Sequence, residues 1–110
     1  MDNYHRAAQF WAVLVLAAGN RQVLTYEMMG KATGMATFGQ AAILDLIVRY
    51  CEYQKFPKLT TILVGANGLP ADGVDDAQTV CSKHVQVFAF DWLAQKAPSP
   101  KEFEALVLPR

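Results

Sequence analysis

Gly34 stands between two stretches that each carry a helix-start signal, and the chain has only a few residues in which to turn from one into the other. On the near side Thr25 is placed to cap a helix over residues 26–33. Glu27 falls in its first turn, where a carboxylate favours the helix dipole, and Leu24 and Met29 have the spacing of a hydrophobic staple. On the far side Thr37 and Gln40 have the T-x-x-Q spacing of a capping box, opening a helix over residues 38–54 that must stop before Pro57. Two local caps around a glycine are what a helix-turn-helix requires. Ile43, Leu46, Ile47 and Tyr50 recur at helical intervals and form the expected core face. Gln40, Ala41, Leu44, Asp45, Val48, Arg49 and Glu52 are left facing outward.

The flanks extend this unit. Residues 3–18 are rich in Ala, Leu and aromatic side chains and are followed by Gly19-Asn20, a helix-ending pair. The nine consecutive apolar residues from Phe10 to Ala18 fall far short of the roughly twenty needed to cross a bilayer, so no membrane role is expected. A helix apolar on all sides calls for cover on several of them. A cleaved leader is the rival reading, with Arg6 as its charged region and Ala17-Ala18-Gly19 as its small-residue site.

After Pro57, residues 60–64 are β-prone, and Asn67-Gly68 predicts a hairpin whose return arm, Leu69-Pro70, suits only a sheet edge. Asp75 and Gln78 then open a helix over residues 76–95, with Ala77, Cys81, Val85, Phe88 and Trp92 as its buried stripe and Phe90 pointing away. The alternation through Val85, Gln86, Val87 and Phe88 keeps a strand open as the alternative. Ser99, Pro100 and Glu102 supply cap, first position and capping-box partner for a last helix to about Leu106. The expected fold class is mainly α with a small β-hairpin: a single winged-helix-like domain over residues 1–110, made of a helix-turn-helix plus C-terminal helices.

Ten basic residues balance ten acidic ones, without the cationic excess that announces phosphate binding, while 53% hydrophobic content leaves apolar surface beyond one core. Cys51 and Cys81 belong to no CxxC pair and read as buried free thiols of a cytoplasmic protein. His84 lies near Cys81 on one helix face, but no convincing set of further ligands completes a metal site. Ser82 and Ser99 lack a base, and Gly65-Ala66-Asn67-Gly68 lacks a phosphate-loop lysine, so neither catalysis nor a cofactor is expected.

Thr25-Tyr26-Glu27 entering a short helix, Gly34, a second helix containing Gly39-Gln40-Ala41, and the strand and turn after it together resemble the DNA-binding winged helix of the methylguanine-DNA alkyltransferases and alkyltransferase-like proteins. That resemblance implies a DNA-binding fold over about forty residues. The reactive Pro-Cys-His-Arg run of that family is absent, Pro57-Lys58-Leu59-Thr60 occupying its region, and Ala36 stands where the family inserts an arginine into the base stack. Alkyl transfer is therefore not implied. The pattern from Leu24-Thr25-Tyr26 through Gly68-Leu69-Pro70 to Phe88-Ala89-Phe90-Asp91-Trp92 also resembles a group of small bacterial proteins, a likeness that supplies no activity.

Two functions follow as expectations. The first is a non-enzymatic interaction module, a homodimer or the binder of another protein, using Leu44, Val48 and Phe90. The second is a weak or dimer-assisted DNA-binding module in which Gln40 pairs with adenine and Lys31, Arg49, Lys55 and Lys58 reach the backbone. Asp45 and Glu52 would meet phosphates with the wrong sign, which favours the first.

Overall fold

The computed structural model of the chain describes residues 2–65 and 77–107. Among the described residues five α-helices carry the architecture, with one very small sheet: α1 Asn3–Gly19, β1 Leu24–Thr25, α2 Tyr26–Thr33, α3 Gln40–Gln54, β2 Leu63–Val64, α4 Ala77–Ala89 and α5 Pro100–Val107. Three short 3-10 turns, Thr37–Gly39, Leu59–Ile62 and Trp92–Ala94, join them. The protein is mainly α with a small β element.

α1 is the axis of the packing, touching α2, α3, α5 and the 3-10 turns on either side of α4. It is capped by Asp2, whose Oδ1 accepts from the His5 amide at 2.9 Å. Ala7, Phe10, Trp11, Leu14, Val15, Ala17 and Ala18 are buried, so the apolar helix is covered on most of its circumference. Arg6 donates to the Thr33 carbonyl at the end of α2, a cation placed at a helix C-terminus where the dipole favours it.

α2 has the predicted bounds. Thr25 Oγ1 accepts from the Met28 amide at 3.1 Å, and Gly34 closes the helix with φ 77, a left-handed turn that side chains disfavour. Thr37, however, does not cap α3: the residues around it form a 3-10 turn, and the α3 cap position is Gly39, with no side-chain bond. Gln40 is pulled inward instead, its Nε2 donating to the Tyr26 carbonyl at 3.1 Å and the Met35 carbonyl at 3.5 Å. The reciprocal box expected here is replaced by a stitch between α2, the turn and α3. The core face of α3 is as expected, with Ile43, Leu46, Ile47 and Tyr50 all buried.

The stretch read as one strand is divided. Leu59–Ile62 winds into a buried 3-10 turn, and only Leu63–Val64 is extended. Its partner is β1, in parallel register, Leu24 opposite Leu63 and Thr25 opposite Val64. The Asn67-Gly68 turn, the Leu69-Pro70 return arm and the Asp75 cap lie outside the described residues.

α4 also differs. Residues 85–88 are helical, but the helix ends at Ala89 and a 3-10 turn follows, capped by Asp91 Oδ1 at 3.3 Å from the Ala94 amide. Its buried positions include Val80 and Val87, and Phe88 is half-buried against the core, while Cys81 and Val85 face outward, so the expected stripe is correct for Phe88 and Trp92 but not for Cys81 and Val85. On a continuous helix Trp92 would point about 140° away from Val87. The break resolves that conflict, turning the Trp92 ring into the core while its Nε1 donates to the Val87 carbonyl at 2.8 Å. α5 begins as read: the Glu102 amide donates to Ser99 Oγ at 3.3 Å, and the Ser99 amide donates to Glu102 Oε1 at 3.4 Å.

Arg21, just past α1, holds φ at 55 with its side chain exposed. A side chain in this left-handed region is strained, so Arg21→Gly is expected to raise stability by about 0.5–1 kcal/mol, read from a urea midpoint shift without a change in slope.

Candidate interaction surface

Each proposed contact residue can be placed on this frame. Gln40 is fully buried, which removes it from the outward face; its role is the stitch just described, and its Oε1 accepts no bond among the described residues. Leu44 is half-buried and packs against the core, and Val48 is half-buried beside it. Phe90 was read as pointing away from the core, yet its ring lies 4.5 Å from that of Trp92 and 5.0 Å from that of Phe56. The chain break after α4 is what swings it there.

Basic residues are partly occupied. Lys31 Nζ is 3.4 Å from Glu27 Oε1, and Arg49 Nε is 2.8 Å from Asp45 Oδ2, both one helical turn apart and well exposed. Such pairs contribute only tenths of a kcal/mol, but each places a carboxylate beside the cation and so offsets the positive charge a phosphate would meet. Lys55 is exposed in a left-handed C-cap at the end of α3, and Lys58 is half-buried. Of the four basic residues, two therefore carry an acidic partner one turn away and a third is half-buried, while Gln40 is withdrawn from the surface.

Two aromatic residues that sequence reasoning passed over dominate the outward side of α3. Phe38, in the 3-10 turn before the helix, is 93% exposed, and Tyr53 in the last turn is 64% exposed. Between them Ala41, Ala42, Asp45, Arg49 and Glu52 are also exposed. Counting Phe38 as the first residue of a helix concealed it; the signal available was that it precedes the core series Ile43, Leu46, Ile47, Tyr50 by spacing that places it off that face.

Elsewhere chemistry is sparse. A shallow cleft of about 380 Å³ between the starts of α1 and α5 is lined by Asp2, Tyr4, His5, Ser99, Pro100, Lys101 and Glu104. The Asp2 carboxyl is held below its ordinary pKa by the His5 amide, then by the His5 side chain, so its acid form is disfavoured and it serves as a cap. His84 is half-buried and hydrogen-bonds the Thr61 carbonyl at 2.8 Å, tying α4 to the 3-10 turn. Among the described residues no group of three His, Cys, Asp or Glu side chains is placed to hold a metal, and no helix is long and apolar enough to cross a membrane.

Both cysteines are free, but only Cys51 is buried; Cys81 is exposed. Burial pushes the Cys51 thiol up to about 11, against a smaller opposing effect from its hydrogen bond with the Leu59 backbone. Thiol-specific reagents at about pH 8 are expected to modify Cys81 in the folded protein and to reach Cys51 only on unfolding, because attack needs an accessible thiolate. Mass spectrometry of the labelled chain, with and without urea, checks this.

No protein family, no curated protein and no solved structure matches the chain.

Proposed function

We propose that this chain is a non-enzymatic interaction module that works as a homodimer. The observation that carries the reading is the outward side of α3, with Phe38 almost wholly in water and Tyr53 largely so. Burying an aromatic side chain of this size is worth about 1.5–3 kcal/mol, a driving force left unused in the isolated chain. The mixed charges along the same helix suit protein better than nucleic acid. Two free cysteines fit a reducing cytoplasm as its location.

The test is solution mass over about a hundredfold range of concentration, by light scattering or sedimentation. A rise from one chain to two supports the reading; one chain throughout sinks it. The second reading, a DNA-binding winged helix, draws on the short Gly34 turn between α2 and α3 and on exposed Lys55. Its signature is an added mass with a short duplex at low salt that disappears as salt rises.

A further inference from the structure

The outward side of α3 has an internal order that identifies its partner. Ala42, Asp45, Arg49 and Tyr53 recur along α3 at steps of three, four and four, all exposed, and Phe38 stands exposed in the 3-10 turn just before the helix. That spacing places the first four along a single stripe of the kind that lies against another helix. The stripe is also self-complementary when reversed. A two-fold axis through its middle, between Asp45 and Arg49, sets the Asp45 carboxylate opposite the other copy's Arg49 and Arg49 opposite the other copy's Asp45. The same axis sets Tyr53, the bulky end, opposite the other copy's Ala41, the smallest part of the face. Phe38 then falls beside the C-terminal end of the other copy's helix.

We infer that two copies of this chain associate through an antiparallel pairing of their α3 helices in this register. The inference rests on the homodimer reading above and adds the surface and the geometry. A parallel pairing would put Asp45 against Asp45 and Arg49 against Arg49, so charge selects the antiparallel arrangement. Two-fold symmetry requires one patch to complement itself, and a helix face on which an acid and a base stand one turn apart about its middle, with alanine in its first turn and tyrosine in its last, does so in this sense. DNA is disfavoured on the same face, because Asp45 and exposed Glu52 would approach its phosphates. α3 is 15 residues long and so about 22 Å, and one helix pair of that length buries less than the roughly 800 Å² per partner of a standard interface. The association is therefore reversible and concentration-dependent.

The register makes a charge exchange decisive. Sedimentation of the full chain from about 1 to 500 μM is expected to show a monomer–dimer equilibrium. Asp45→Arg and Arg49→Asp should each weaken it at least about tenfold, because each sets like charges against one another twice. An equimolar mixture of the two variants should recover the dimer, since one copy then carries two positive charges at these positions and the other two negative ones. The recovery also shows that both variants are folded, and circular dichroism of each alone gives the same check. A wild-type dimer unaffected by either change, or variants that stay monomeric when mixed, would overturn the α3 pairing while leaving a dimer through another face. A wild-type monomer at every concentration would overturn the pairing and the homodimer reading together.

Discussion

Trp92→Ala is expected to lower stability by about 3–5 kcal/mol, the usual range for emptying a buried aromatic site, and to reduce the melting temperature by more than about 10 °C. The Trp92 ring is 3% exposed, and it packs edge-on to Trp11 at 5.7 Å and to Phe56 at 5.8 Å. Trp11 in turn meets Tyr50 at 5.3 Å, and Tyr50 meets Phe103 at 5.6 Å, so a continuous run of rings joins α1, α3, α5 and the turn after α4. Removing Trp92 takes out the member that holds this turn against the helices, along with the 2.8 Å bond from its Nε1 to the Val87 carbonyl. Trp92→Phe separates the two contributions. It keeps most of the ring contact and loses the bond, and should cost about 1–2 kcal/mol. Thermal and urea melts of the two variants check the order; equal losses would mean that the bond, not the ring packing, fixes the turn.

The same residue shows where sequence reading reached its limit. Local signals were sufficient for α1, α2 and α5, because Thr25, Gly34, Ser99 and Glu102 act on backbone groups within a turn of themselves. They failed where both faces of a segment are apolar. Along α4 both Cys81 with Val85 and Val80 with Val87 have helical spacing, and only the position of α1 and the 3-10 turn at Leu59–Ile62 decides which is buried. The β pair was illegible for a different reason: Leu24 and Leu63 are distant in sequence, and neither carries a mark of its partner. Gln40 was misplaced because its amide found carbonyls on α2 and the turn, a contact formed only once the helices have packed. At the candidate surface, the outward set on α3 was read correctly for Asp45, Arg49 and Glu52. Phe38 and Tyr53, the large exposed aromatic residues at either end of α3, lay outside the residues assigned to that set.

Two glycine-to-alanine substitutions should move stability in opposite directions. Intrinsic helix propensity favours alanine over glycine by about 1 kcal/mol at any interior helical position, so propensity alone predicts a gain in both α1 and α2. At Gly19, the last residue of α1, nothing stands within 4 Å of where a Cβ would project, and a gain of up to about 0.5 kcal/mol is expected, reduced because the position is terminal. At Gly30, within α2, a Cβ would stand 2.7 Å from the Met35 carbonyl oxygen, a backbone atom that cannot rotate away. Relief requires the turn between α2 and α3 to move outward, and overpacking of this kind costs about 1–3 kcal/mol, enough to reverse the propensity gain. Met35 is also the carbonyl to which the Gln40 amide donates, so the displacement should loosen the stitch that fixes the start of α3. Gly30→Ala is therefore expected to lower the urea midpoint and to speed amide exchange at the start of α3, whereas Gly19→Ala raises the midpoint and leaves exchange in α3 unchanged. A gain in stability from both would show that the close approach of the turn to α2 is not what sets the angle between the two helices.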